Sequence, residues 1–173
     1  MLDKLEELGA EVERVGADWN EAHIMAEYEA KMDTGAFLVH PHAQVGGATL
    51  HQRQEDTWEG HLSMVREVAV ALGRAPSCLV AASGGGGLVL GLARGADRQA
   101  GWEHTRLLAV EPEGAAGLAR SLQEGRRVTL DTVDTCATSL AMKSVIPELV
   151  EYRCHSSPPP PACGGRTGWR RCR

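Results

Sequence analysis

The residues with the plainest chemical capacity are consecutive: Ser83, Gly84, Gly85, Gly86 and Gly87, set between the apolar runs CLVAA and LVLGLARG. Glycines pack nothing and cost backbone entropy, so such a run marks a place where the chain must approach something closely. The run before it has strand character and the run after it helical character, which makes a strand-to-helix turn. There the first N–H groups of the helix have no internal partner, and the helix dipole adds partial positive charge. Glycines admit an anion to those donors and the Ser83 hydroxyl can join them, so phosphate binding is favoured over a merely flexible turn. The loop lacks the G-K-[ST] of a Walker motif, and Gly91 falls too late for a dinucleotide turn, so a nucleotide is the weaker candidate.

Glu111, in RLLAVEPEG, is the second candidate. A strand from Arg106 completes a βαβ unit, whose right-handed crossover puts Glu111 and the glycine loop at the carboxyl ends of neighbouring strands, where open α/β sheets bind ligands. The residues alone leave two readings of Glu111, a site carboxylate or a solvated strand end. His40, His42 and His51 lack the spacing of metal ligands and read as solvated loop residues. The five cysteines, Cys78, Cys136, Cys154, Cys163 and Cys172, contain no C-x-x-C pair and read as free thiols.

The elements that must position these groups alternate. Leu2, Leu5 and Leu8 predict a helix stopped by Gly9, and Val12 and Val15 a short strand in AEVERVG. Asp18 with Glu21 predicts a capping box for a helix burying Ala22, Met25, Ala26 and Met32, ended by Gly35 and followed by a strand in AFLVHP. Residues 42–56 have no period and read as an irregular loop. From Trp58, the positions Leu62, Val65, Val68, Ala69 and Leu72 predict a helix, and after the Arg106 strand a further helix covers Ala115 to Leu122.

Composition narrows the function. The 173 residues are 43% hydrophobic, enough for a core, and the net charge of −5 argues against a nucleic-acid partner. No apolar run reaches the roughly 18 residues of a membrane span, and MLDKLEELGAEV lacks signal-peptide regions, so a cytoplasmic protein without a membrane partner is expected.

The succession LEELGAEVERVG, DWNEAHIMAEYEA, WEGHLSMVREV, CLVAASGGGGLVLGL and LLAVEPEGAAGLARSLQEGRRVTLDTVDTCATSLAMKSV resembles the middle of the L-serine dehydratase family, and more broadly the serine and threonine dehydratases. The resemblance covers about residues 1–145, with a disturbed patch at 42–56. It implies an α/β fold of the fold-type II, tryptophan synthase β-like group, a parallel sheet with helices on both faces. It further implies that Ser83, Gly84, Gly85, Gly86 and Gly87 hold the phosphate of pyridoxal phosphate. A monovalent cation such as potassium would lie at Gly85, Glu111, Ala115, Leu140 and Met142, mostly on carbonyls, a hard-ion environment that gives Glu111 a reason to be acidic. The implied reaction is deamination of L-serine to pyruvate and ammonia, or the equivalent on L-threonine, and the implied assembly a homodimer or a pairing with a full-length relative.

The chain departs from that pattern in three ways. The family's Schiff-base lysine lies in an S-x-K-x-R-G-like segment that is absent, and Lys4, Lys31 and Lys143 have no such context, so no catalytic residue is assigned. The family's asparagine loop is missing, Asn20 being the sole asparagine. The end of the chain, with Pro158, Pro159, Pro160 and Pro161, changes composition abruptly. The expected organisation is residues 1–41 from the smaller domain, 42–56 an irregular loop, 57–146 part of the larger cofactor-binding domain, and 147–173 a disordered non-family tail. The fold is thus expected to be incomplete at both ends and the chain inactive alone. The alternative is a noncatalytic binding or interaction protein derived from the same fold.

Overall fold

The computed structural model describes residues 2–16, 19–36, 38 and 48–155, with the backbone alone at 19–20, 48–57 and 153–155. The chain divides into two compact units, Met1–Val39 and His40–Arg173. The first holds helices α1 (Leu2–Glu7) and α2 (Trp19–Met32). The strand expected in AEVERVG does not form, since no ladder neighbour for it exists among the described residues and an isolated strand leaves its backbone groups unpaired. Nor is the predicted apolar face of α2 buried: Met25 is exposed, as is Met32 at 66%. The expected Asp18 cap and most of the AFLVHP strand lie outside the described residues.

The second unit runs α3 (Ala48–Leu72), β1 (Cys78–Ala82), α4 (Gly87–Arg98), β2 (Arg106–Val110), a 3₁₀ turn (Glu113–Ala115), α5 (Gly117–Glu124), a second 3₁₀ turn (Thr138–Leu140) and α6 (Pro147–His155). Two expectations are corrected here. Helix α3 already starts at Ala48, inside the expected loop at 42–56: Gln52, Arg53, Gln54 and Glu55 are good helix formers. The tail expected from residue 147 begins as α6, with Pro147 at the first helical position, where its missing N–H costs nothing, and with Leu149 and Val150 buried.

Strands β1 and β2 pair in parallel, Cys78 opposite Arg106 through Ala82 opposite Val110. The period of two then sorts their side chains. Leu79, Ala81, Leu107 and Ala109 face a single core that includes Trp58 and Val65 of α3, Val89, Leu90 and Leu92 of α4, Trp102, Leu118, Val145, Ile146, Leu149 and Val150. The other face stays open, Val80 being 64% exposed.

Helices α3 and α4 approach closely because α4 presents glycine to α3. A Cβ on Gly91 would lie 2.6 Å from His61 Cβ and 2.9 Å from the Trp58 carbonyl oxygen, and one on Gly95 would lie 2.7 Å from Val65 Cγ2. The same contact carries the Arg94 guanidinium 5.3 Å from the Trp58 ring centroid and a bidentate Arg98–Glu59 pair at 2.6 and 2.7 Å. That pair is exposed and contributes little. Helix α6 is tied to α4 by the Tyr152 hydroxyl, which donates to Asp97; burial, then Asp97, raises the tyrosine pKa.

Glycine substitutions in the two helices are expected to have opposite signs. Gly60 of α3 has nothing within 4 Å, so Gly60→Ala should stabilise by about 0.5–1 kcal/mol. Gly91→Val, forced against the Trp58 backbone, should cost about 1–3 kcal/mol. Urea denaturation of both variants checks the pair, and equal effects would mean that α4 is not held against α3 at this point.

Candidate functional site

The site is built where β1 ends. The Ser83 N–H donates to the Val110 carbonyl at 2.8 Å, adding one bond to the ladder and drawing the two strand ends together. Ser83 is 1% exposed, and its Oγ is buried without a hydrogen-bond partner. Among the described residues, the N–H groups of Gly84, Gly85, Gly86 and Gly87 meet no protein acceptor either. Gly86 turns the chain into α4 with φ 96° and ψ −6°, a left-handed conformation open to glycine, and no side chain caps the helix. A Cβ there would also lie 2.7 Å from Leu149 Cδ2.

Buried polar groups are normally paired, so an unpaired hydroxyl beside a run of unspent N–H donors at the positive end of a 12-residue helix has the donor chemistry that an anion needs. A phosphate would satisfy several of these donors at once. The residues present therefore fit a phosphate-bearing group.

A strap formed by residues 140–146 supports the loop from behind. A Cβ on Gly84 would lie 3.2 Å from Leu140 Cα and 3.4 Å from Met142 Cγ, and the Ile146 N–H donates to the Gly85 carbonyl at 2.9 Å. Thus Leu140 and Met142, two of the expected cation positions, are brought against the glycine loop. The carbonyls of Gly85 and Leu140 already accept one hydrogen bond each, from Ile146 and Met142, and each oxygen keeps a second lone pair. Ala115, at the end of the first 3₁₀ turn, is buried.

Glu111 is not a solvated strand end. It follows β2, is 5% exposed, and accepts from the N–H groups of Leu118 at 2.8 Å and Ala119 at 2.9 Å. The carboxylate thereby caps the first turn of α5, where the helix dipole favours negative charge. Burial raises its pKa, and the two backbone hydrogen bonds oppose that rise.

Two side chains that the sequence did not single out connect these parts. Ser121, fully buried, donates to the Gly117 carbonyl at 2.6 Å and accepts from the Val128 N–H at 3.0 Å. Arg127 reaches the strap, donating from Nε to the Val145 carbonyl and from a terminal nitrogen to Ser144 Oγ, both at 2.9 Å. A polar residue in a polar stretch carries no sequence signal for such contacts. Among the described residues, no group of three or more His, Cys, Asp or Glu side chains forms a metal site, and no helix is long and apolar enough to cross a membrane.

Comparison with known proteins places this geometry. The family model described as "Pyridoxal-phosphate dependent enzyme" matches residues 1–156, eleven positions beyond the reach read from sequence and through the whole of α6. The chain is 38% identical over 153 residues to the serine dehydratase-like protein of Mus musculus, covering 87% of this chain and 42% of that protein. It is 32% identical over 146 residues to the L-serine dehydratase/L-threonine deaminase of the same organism, covering 83% and 41%. Among solved structures, the processed form of threonine deaminase isoform 2 from Solanum lycopersicum superposes with a TM-score of 0.71 at 28% identity, over 86% of this chain and 39% of that one. The chain thus spans about two fifths of the length of the curated relatives it matches.

The raised pKa of Glu111 has a definite sign in stability. The folded chain keeps this proton at a pH where the unfolded chain has lost it. The stabilising contribution is therefore complete below the ordinary carboxylate range and is lost as pH rises through the raised value. In buffers free of sodium and potassium, the stability of the natural chain minus that of Glu111→Gln should be highest near about pH 4 and fall as pH rises, the neutral variant gaining on the natural chain. A difference that grows with pH in urea titrations would mean that the Leu118 and Ala119 bonds outweigh burial.

Proposed function

The chain belongs to the pyridoxal-phosphate dependent enzyme family, and from that premise we propose that it is the phosphate-holding part of a serine/threonine dehydratase, unable to turn over substrate by itself. The observation that carries this reading is the buried, unpartnered Ser83 hydroxyl beside the unspent N–H donors of Gly84, Gly85, Gly86 and Gly87. The reaction of the complete enzyme would be conversion of L-serine to pyruvate and ammonia, or of L-threonine to the corresponding 2-oxo acid and ammonia.

In this reading the glycine loop and Ser83 bind the cofactor phosphate, with α4 directing its positive end at the charge. When bound, the cofactor would supply an electron sink for chemistry at the substrate α-carbon. The strap and the buried side chains of Val145 and Ile146 keep water from the rear of the loop. A monovalent cation such as potassium would be held by carbonyls of Gly85, Ala115, Leu140 and Met142 with Glu111, ligands suited to a hard ion. Residues up to about 41 are assigned to the smaller domain and those from α3 onward to the larger, cofactor-binding one. None of Lys4, Lys31 and Lys143 is assigned the covalent or proton-transfer role. The net charge of −5 argues against a nucleic-acid partner, and a cytoplasmic location is part of this proposal.

A second reading, a noncatalytic protein that pairs with a full-length relative, is favoured by one observation. Parallel sheets are ordinarily covered on both faces, yet the side bearing Val80 and Ala82 is exposed. Stable association with a full-length family member, without any change in cofactor chemistry, would support it.

The deciding experiment titrates the chain with pyridoxal phosphate, reduces with borohydride, maps adducts by peptide mass spectrometry and assays L-serine deamination in parallel. Reversible binding is expected, weakened by roughly twofold to tenfold in Ser83→Ala, with no adduct at any of the three lysines and no turnover. A single adduct accompanied by pyruvate release would make the chain an enzyme with a relocated lysine. No binding at all would remove the cofactor reading.

A further inference from the structure

We infer that Arg127 is a positioning residue for the glycine loop: its guanidinium clasps the strap on which the loop rests and so sets the geometry of the anion-binding N–H groups. The inference rests on the loop being a phosphate site, and the contacts that carry it are continuous. Arg127 Nε donates to the Val145 carbonyl, and a terminal nitrogen donates to Ser144 Oγ, both at 2.9 Å. Three residues on, the Leu130 N–H donates to the Lys143 carbonyl at 2.7 Å, so residues 143, 144 and 145 are each held from the same neighbouring segment. The next residue, Ile146, gives its N–H to the Gly85 carbonyl at 2.9 Å. Leu149 occupies the space that a Cβ on Gly86 would need, at 2.7 Å, while Ile146 and Val145 would lie in ordinary contact with it at 3.6 and 3.7 Å.

The glycine loop has no side chains with which to hold its own shape. Its conformation must be imposed by what it leans on, because glycine otherwise samples both signs of φ. The strap is irregular between the second 3₁₀ turn and α6, and so it in turn needs external contacts. A planar guanidinium can bond a carbonyl and a hydroxyl at once from a fixed fork, which a lysine ammonium on a flexible stem does less well. The segment bearing Arg127 is itself anchored to α5 by the Val128 N–H to Ser121 Oγ bond, and α5 is anchored at its start by Glu111. Arg127 is therefore the junction through which the rigid end of β2 and α5 supports the loop at the end of β1.

The test measures inorganic phosphate and pyridoxal phosphate affinity together with hydrogen exchange at the Ile146 amide, in the natural chain and in Arg127→Ala, Arg127→Lys and Ser144→Ala. In Arg127→Ala, both affinities should fall by about tenfold and Ile146 exchange should accelerate by a similar factor. Arg127→Lys should be intermediate in both, and Ser144→Ala, which loses only the hydroxyl, should show the mildest effect. Unchanged affinity with faster exchange, or reduced affinity with unchanged exchange, overturns the inference, since positioning requires the two to move together. If the natural chain binds neither anion, the phosphate reading itself fails, and the inference falls with it whatever Ile146 shows. If Arg127→Ala does not fold, the lysine and Ser144 variants decide, and natural behaviour in both overturns the proposal.

Discussion

The parallel ladder between β1 and β2 is the constraint from which the rest of the site follows. Five residue pairs in register leave both strands ending at the same level, and the Ser83 to Val110 bond adds one rung past the last pair. The chain then leaves the two strands in opposite roles. From β1 it enters α4 through residues without side chains; from β2 it continues into Glu111, whose carboxylate starts α5. One strand end offers backbone donors and the other a carboxylate already committed to backbone donors. Without the shared level, the glycine loop and Glu111 would not lie at the same edge of the sheet.

Backbone N–H groups, rather than side chains, are most of the donors that the glycine loop offers, and that shifts the burden of precision elsewhere. A charged side chain can adjust its rotamer to a ligand, but a peptide N–H points where φ and ψ direct it. The loop's geometry is consequently distributed over neighbours: Leu140 and Met142 behind Gly84, Ile146 on the Gly85 carbonyl, Leu149 against Gly86. Those neighbours are fixed through Arg127, Val128, Ser121 and Glu111. Glycine serves a second purpose further along α4, where Gly91 and Gly95 let α3 close over the core and bury Trp58 and Val65.

The open face of the sheet is the energetic counterpart. Leu79, Ala81, Leu107 and Ala109 face a layer of helices, whereas Val80 faces solvent. Each apolar side chain left in water forgoes roughly 1.5–3 kcal/mol that burial would contribute. The chain spans about two fifths of the curated relatives it matches, and its core is built on one side of a two-stranded sheet.

Much of this was legible in the residues. The run from Cys78 to Ala82, the glycines after it and the strand from Arg106 announce a βαβ unit, since local apolar runs and turn residues act over a few positions. Sequence also placed Glu111 beside the loop, because crossover handedness is nearly invariant. It failed where neighbours decide: AEVERVG has strand alternation but no ladder neighbour among the described residues, and residues 48–56 looked irregular although they carry good helix formers. The sequence alone thus determined the glycine-rich strand-to-helix turn and the α/β class, both written in consecutive residues. Tertiary structure alone decided that Glu111 caps α5, that α6 belongs to the core and that Arg127 supports the loop through a strap 17 and 18 residues away. Contacts between segments distant along the chain leave no local pattern, since what selects them is the geometry of packing.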